Sequence, residues 1–303
     1  GKLAQAADIS VFARLSDTCV LVTITTAHAS EDIDYLPLHV EYVEKLYAGG
    51  RIKGSRWVKR EGKPSDEAVL NARLIDRSIR PFFPKNFRKS IQVVITLLSI
   101  DGVNSAEILA ANAVYTALHI SSLPWEGPLG LTRVGYVVTN GEGSFLVNPN
   151  EDHQRLSALD LIVSSSKEKV VMIETGAEEL PEETILEGIK MAKEENNKII
   201  DFIERLRKKV GLPKEKVEIA LVDEKIVSLL KKEYKEEIDK LIEQSASKEF
   251  EDKNAVDELL ADFQEKHKEE FEKKAIIKAI DYLSKQTIRK KILKTKKRLD
   301  GRD

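Results

Sequence analysis

The feature that most constrains this fold is a change of regime along the chain. Up to about residue 175, short β-type runs recur at 11–15, 18–26, 36–43, 91–98, 131–138, 144–147, 159–164 and 170–174. Glycine, proline and asparagine punctuate them, and Asn140-Gly141-Glu142-Gly143 between two of the runs is a hairpin signal. From about residue 215 to 297 glycine and proline are essentially missing and Lys, Glu, Leu and Ile dominate. The sequence therefore predicts a mixed α+β unit followed by an all-helical one.

Helices interrupt the strand pattern. One is predicted over 65–80, stopped by Pro81, and a second over 105–120, where Ile108, Leu109, Ala113, Tyr115, Thr116 and Leu118 give a mostly apolar, buried look. A third spans 182–210, with Pro181 before it and Gly211-Leu212-Pro213 after it. Its glutamates gather near the start and Arg205, Arg207, Lys208 and Lys209 near the end, complementing the helix dipole. In the helical tail, residues 244–254 divide the helices.

Cys19 is the single cysteine and sits in an apolar strand run. It reads as a small buried hydrophobe rather than a reactive thiol. With no disulfide possible within the chain, a reducing compartment is expected. No apolar run approaches the roughly 20 residues that span a bilayer, and no signal-like segment opens the chain at Gly1. The expectation is a soluble cytoplasmic protein with no membrane contact.

The formal net charge is only −2, so a strong field must come from local clustering. Residues 51–63 supply it: Arg51, Lys53, Arg56, Lys59, Arg60 and Lys63 stand against Glu61 alone. Gly49, Gly50, Gly54 and Gly62 favour a loop here. On the helix that follows, Arg73, Arg77 and Arg80 fall within about 60° of one another. Ala68, Ala72, Ile75 and Ile79 mark a separate, core-facing side. Asp76 is placed to pair with Arg73 or Arg80.

A solvated surface accounts for an ordinary charge run. Here two adjoining elements gather cations with little to offset them, which favours a bound polyanion. Trp57 amid arginines suits single-stranded nucleic acid, where a base stacks while cations follow the phosphates. Other constellations are weaker. His28, His39, His119, His153 and His267 show no HxxH or HExxH spacing, so zinc is not expected. Asp101 and Glu107 are either a carboxylate pair or a turn leading into a helix cap, the turn being the cheaper account.

Several longer stretches carry a family resemblance. They are Asp17-Thr-Cys-Val-Leu-Val-Thr23, Pro37-Leu-His-Val-Glu-Tyr-Val-Glu-Lys-Leu-Tyr-Ala48, Lys59-Arg-Glu-Gly-Lys-Pro-Ser65, Ala72-Arg-Leu-Ile-Asp-Arg77 and Gly127-Pro-Leu-Gly130. With Gly1-Lys-Leu-Ala-Gln-Ala-Ala-Asp8, they span about the first 175 residues, and the chain resembles the N-terminal half of the bacterial polynucleotide phosphorylase family. The resemblance implies an RNase PH-like (ribosomal protein S5 domain 2-like) α+β domain over 1–212 and an all-helical domain over 213–297. It also implies the opening of a second RNase PH-like domain at 298–303, after which the chain stops short of that domain and of KH and OB-fold modules. The family's first strand, before Gly1, is expected to be absent as well.

The same resemblance implies phosphorolysis of single-stranded RNA from its 3′ end, with inorganic phosphate as co-substrate, and the reverse polymerisation. Mg²⁺ and the main catalytic residues are expected on the missing second core domain, so none is assigned in this chain. The implied RNA-gripping residues are Arg56, Trp57, Lys59, Arg60, Lys63, Arg73, Arg77 and Arg80. A homotrimer, an RNA-degradation complex and a part in mRNA catabolism are implied as partners and setting. Two departures stand out: Arg56-Trp57-Val58 offers one stacking ring where the family has two, and Ser16 replaces a usual glycine. The other reading kept open is a non-catalytic RNA-binding or ring-assembly subunit of an exosome-like complex.

Overall fold

The computed structural model describes residues 3–28, 35–51, 63–139, 141–217, 223–246, 255–267 and 271–298. The chain divides into two compact units, Gly1–Glu218 and Ile219–Asp303.

In the first unit, alternation of apolar residues builds a four-stranded sheet. β1 (Ile9–Leu15) and β2 (Thr18–Ala27) form a hairpin in which Leu15 faces Thr18, leaving Ser16 and Asp17 as the turn. β3 (Leu38–Val43) lies parallel to β4 (Ser90–Ser99), and the order is β1-β2-β4-β3. Val20, Val22 and Ile24 on β2 and Ile91, Val93 and Ile95 on β4 are fully buried. The period of two thus puts one face of the sheet on the core. Cys19 falls between buried Thr18 and Val20 and is only half-buried, next to a register shift.

A parallel pair needs a long crossover, and α1 (Asp66–Ile79) provides it, packed on β3. Ser65 caps it, its Oγ accepting from the Ala68 amide at 3.0 Å. α2 (Ala106–Ile120) is buried almost all round because β1 and β2 lie against it and it also reaches the second sheet. That is why its sequence lacks a polar stripe.

The second sheet is antiparallel throughout. It comprises β5 (Gly130–Thr139), β6 (Glu142–Val147), β7 (Leu159–Ser165) and β8 (Val170–Ala177) in the order β6-β5-β7-β8. The short α3 (Glu151–Arg155), which the sequence pattern did not predict, precedes β7 and is capped by Asn150. α4 (Glu182–Val210) lies across β5 and β7. At Gly130 a Cβ would sit 2.7 Å from the Asn196 carbonyl oxygen, so glycine lets α4 come this close to β5. Residues 211–217 stay with this unit: Leu212 N–H donates to Ile120 O and Glu215 N–H to Ser122 O.

The second unit is helical: α5 (Glu224–Glu233), α6 (Lys235–Ala246), α7 (Ala255–Lys266) and α8 (Lys273–Thr295). Ile226, Leu230, Ile242, Phe263, Ile276, Ile280 and Leu283 form its own core. Among the described residues no helix is long and apolar enough to cross a membrane.

Candidate nucleic-acid interface

Arg56, Trp57, Lys59 and Arg60 lie outside the described residues, so the interface is built from Lys63 and α1. Lys63 is exposed just before the Ser65 cap, whose hydroxyl also donates to Glu44 Oε2 at 2.7 Å. On α1, Ala68, Leu74, Ile75, Ser78 and Ile79 are buried against the sheet. The buried Trp125 indole donates Nε1–H to the Ile79 carbonyl at 3.0 Å, fixing the far end of the helix. The arginines project from a rigid support.

The geometry divides the three arginines. Arg80 is occupied: its Nε and Nη2 donate to the two Asp76 carboxylate oxygens, each at 2.7 Å. The guanidinium also donates to Leu36 O at 3.0 Å and Leu38 O at 3.1 Å, tying the end of α1 to the start of β3. This is the Asp76 pairing that the spacing predicted. Arg77 makes a single contact with Glu174 of β8 at 3.4 Å, both side chains about half exposed, a pair of little energetic weight. Arg73 is exposed and makes no hydrogen bond or ion pair among the described residues.

Beside Arg73, at spacings of four and three, stand Val69 and Leu70, 44% and 59% exposed. A charged and an apolar surface thus lie side by side, a suitable floor for a sugar-phosphate chain. The periodicity argument missed these two because it looked only for the core face. Their lone signal is an apolar pair at off-phase positions of an amphipathic helix.

The other sequence candidates resolve as structure. Asp101 does not pair with Glu107. Its carboxylate accepts from the Asn104 amide (2.8 Å), the Asn104 side chain (2.7 Å) and the Val103 amide (2.9 Å), and these bonds hold it well below the usual carboxylate range. Glu107 instead meets Arg133, which also forks onto Asp160 at 2.7 and 3.2 Å. That three-residue cluster ties α2, β5 and β7 together and was not foreseen. Among the described residues no three His, Cys, Asp or Glu side chains gather as a metal requires.

Comparison with known proteins decides the family. The model of the 3′ exoribonuclease family, domain 1, matches residues 1–124, and domain 2 of the same family matches 127–195. The RNA binding domain of polyribonucleotide nucleotidyltransferase matches 220–303. The chain belongs to the 3′ exoribonuclease family. In family terms, domain 1 holds the first sheet with α1 and α2, and domain 2 holds the second sheet with the first part of α4. The third match begins beside the boundary between the two compact units.

Three relatives illustrate the likeness. The polyribonucleotide nucleotidyltransferase of Caldicellulosiruptor saccharolyticus is 41% identical over 311 residues and that of Syntrophomonas wolfei 40% over 305, each across 100% of this chain. That of Clostridioides difficile is 44% identical over 232 residues, 76% of this chain. The chain spans 42% of the length of the first two and 32% of the third.

Proposed function

We propose that this chain grips single-stranded RNA for a phosphorolytic 3′-to-5′ exoribonuclease. The observation that carries the reading is Arg73: exposed, unpaired among the described residues, on a helix anchored at both ends and flanked by Val69 and Leu70. Arg77 and Lys63 extend the cationic surface, and Arg56, Trp57, Lys59 and Arg60, which precede them in sequence, belong to the same proposed grip. Arg80 acts by holding the helix in place.

In the proposed reaction a phosphate oxygen attacks the terminal phosphodiester phosphorus. The bond to the preceding ribose O3′ breaks, and the last nucleotide leaves as a nucleoside diphosphate. Two anions must meet, so the site has to supply positive charge and alignment. This chain supplies the grip and a second RNase PH-like domain, which residues 298–303 would open, supplies the chemistry. Magnesium belongs with that domain: the described residues offer no fitting ligand set, and no step is assigned to it here. A homotrimeric ring, membership of an RNA-degradation complex and a cytoplasmic role in mRNA turnover complete the proposal.

The test is phosphorolysis of an end-labelled single-stranded RNA by this chain, with phosphate and Mg²⁺, alongside a gel shift on the same RNA. Binding without nucleoside diphosphate release is the expected result. Phosphate-dependent release would mean that these residues hold a working site, and no binding would remove the proposal.

A further inference from the structure

We infer that His119 is a proton-operated latch for the strap formed by residues 211–217, the segment that ends the first unit: when the imidazole takes up a proton, the strap leaves the end of α2. The inference concerns the joint between the two units and does not depend on the reading of the chain as an RNA-handling protein.

The strap caps a helix end. The last four carbonyls of an α-helix have no partner within the helix, and the strap supplies donors to two of those on α2. Leu212 N–H donates to Ile120 O at 2.9 Å, and the Lys214 ammonium donates to Leu118 O at 2.7 Å. The helix dipole favours a cation at this position. One residue on, Glu215 N–H donates to Ser122 O at 2.7 Å, and the Glu215 carboxylate accepts from Lys89 at 2.7 Å. Val217 packs on the core of the first unit. His119 lies between the two capped residues in sequence and is 1% exposed.

The hydrogen bonds of His119 decide where a proton can enter. Arg207 has donors only, so Nε2, 3.3 Å from Arg207 Nη1, accepts, and the neutral ring carries its hydrogen on Nδ1. Nδ1 is buried and has no hydrogen-bond partner among the described residues. A second proton therefore enters at Nε2, where it sets donor against donor and breaks the bond to Arg207. The groups that face the ring are Arg207 and Glu204 of α4, Lys214 of the strap and, from the segment after α2, the uncharged Trp125 ring at 6.5 Å. The imidazolium would join two cations, with the Glu204 carboxylate 4.0 Å away to answer them. Helices α2 and α4 are fixed by packing on the sheets. The strap is held by a few hydrogen bonds and is the piece that can leave, taking Lys214 with it.

The sign follows. Burial first, then the charges of Arg207 and Lys214, hold the ring at a pKa of about 4 while the strap is closed. Open and hydrated, it titrates at about 6.5. The closed strap is thus fully favoured above about pH 6.5 and loses ground as the pH falls towards 4. Once free, residues 211–217 add about 23 Å of reach to the tether between the units.

The experiment is amide hydrogen exchange read by mass spectrometry on the full chain at pH 7.5 and 5.0, each rate divided by the intrinsic rate at that pH. It compares the parent with His119→Gln, whose amide can accept from Arg207 but takes up no proton. Circular dichroism checks the variant's fold, and the contrast between strap and strands stands on the parent alone. On acidification, protection of peptides covering 211–217 should fall in the parent by on the order of ten- to thirty-fold, and by about two-fold or less in His119→Gln, while β2 and β4 keep theirs. Both proteins retain the Lys89–Glu215 pair, so a difference between them belongs to the imidazole. Unchanged strap protection in the parent overturns the inference, as does an equal fall in His119→Gln. A fall shared by β2 and β4 also overturns it, because the whole first unit would then be loosening rather than its last segment.

Discussion

Asn112 binds the backbone of Leu131 as a neighbouring strand would: its Nδ2 donates to the Leu131 carbonyl at 2.9 Å and its Oδ1 accepts from the Leu131 amide at 3.0 Å. Helix α2 thereby holds the start of β5 through hydrogen bonds as well as packing. Leu131 is fully buried, so water cannot replace the lost partner. Asn112→Ala should cost about 2–4 kcal/mol, the sum of two unsatisfied buried groups and a small cavity. Urea unfolding checks this, with a lower midpoint at unchanged slope as the expected outcome. A midpoint within error of the parent would mean that the second sheet is held by packing alone.

The hairpin turn at Ser16 offers the opposite sign. Ser16 has φ +50°, the left-handed region where a side chain is strained. Arg14 bridges the turn by donating to Ser16 O at 2.5 Å and to Asp17 at 2.9 Å, and neither contact uses the Ser16 side chain. Ser16→Gly should therefore stabilise the chain by about 0.5–1 kcal/mol, the relief of strain exceeding the added freedom of the unfolded state. A thermal melt decides it, and a lower midpoint would mean that the strain is absorbed elsewhere.

Arg73 and Arg80 share a helix face but should respond to mutation in different assays. Arg73→Ala removes a side chain with no partner among the described residues, so stability should be unchanged within about 0.5 kcal/mol while RNA affinity drops. The salt slope should become shallower by about 0.7. Arg80→Ala leaves Asp76 and two carbonyl oxygens without their donor and should lower stability by about 1–2 kcal/mol. Paired measurements of melting and anisotropy test the split. Equal stability losses in both variants would show that the arginines do the same job.

Much of this architecture is legible because its information is local. The alternation in β2 and β4, the Ser65 cap, the stop at Pro81 and the uniform apolarity of α2 each follow from neighbours in sequence. What could not be read depends on residues far apart in the chain. No local pattern says that β3 pairs parallel with β4, that Arg133 joins Glu107 to Asp160, or that Asn112 meets Leu131. The division of labour between Arg73 and Arg80 is partly of the same kind: helical phase puts both on one face with Asp76 in reach of either, and the fold, which brings the Leu36 and Leu38 carbonyls to Arg80 alongside Asp76, makes Arg80 the occupied one. Even α3 escaped because a five-residue helix is too short to display a period.

His119 gives the chain an acid-sensitive point. It lies at the end of α2, almost fully buried, with Nε2 3.3 Å from an Arg207 Nη1 and 4.0 Å from Glu204. Burial first, then the charges of Arg207 and Lys214, hold its pKa down to about 4. In the unfolded chain the imidazole titrates near 6.5, so between these values the unfolded state binds a proton that the folded state refuses. Stability from this group is complete above about pH 6.5 and is lost as the pH falls towards 4, by at most about 3 kcal/mol. Lys214, held down to about 8 by burial and then by Arg207, stays charged throughout this window in both states and adds no slope of its own. The carboxylates also titrate on acidification, so the decisive quantity is a difference. Urea unfolding of the parent and of His119→Gln at pH 7.5, 5.5 and 4.5 should show the parent losing more stability on acidification, because the amide cannot take up the proton. Parallel losses in the two proteins would mean that the imidazole reaches water or gains an acceptor when protonated, with Glu204 the nearest candidate.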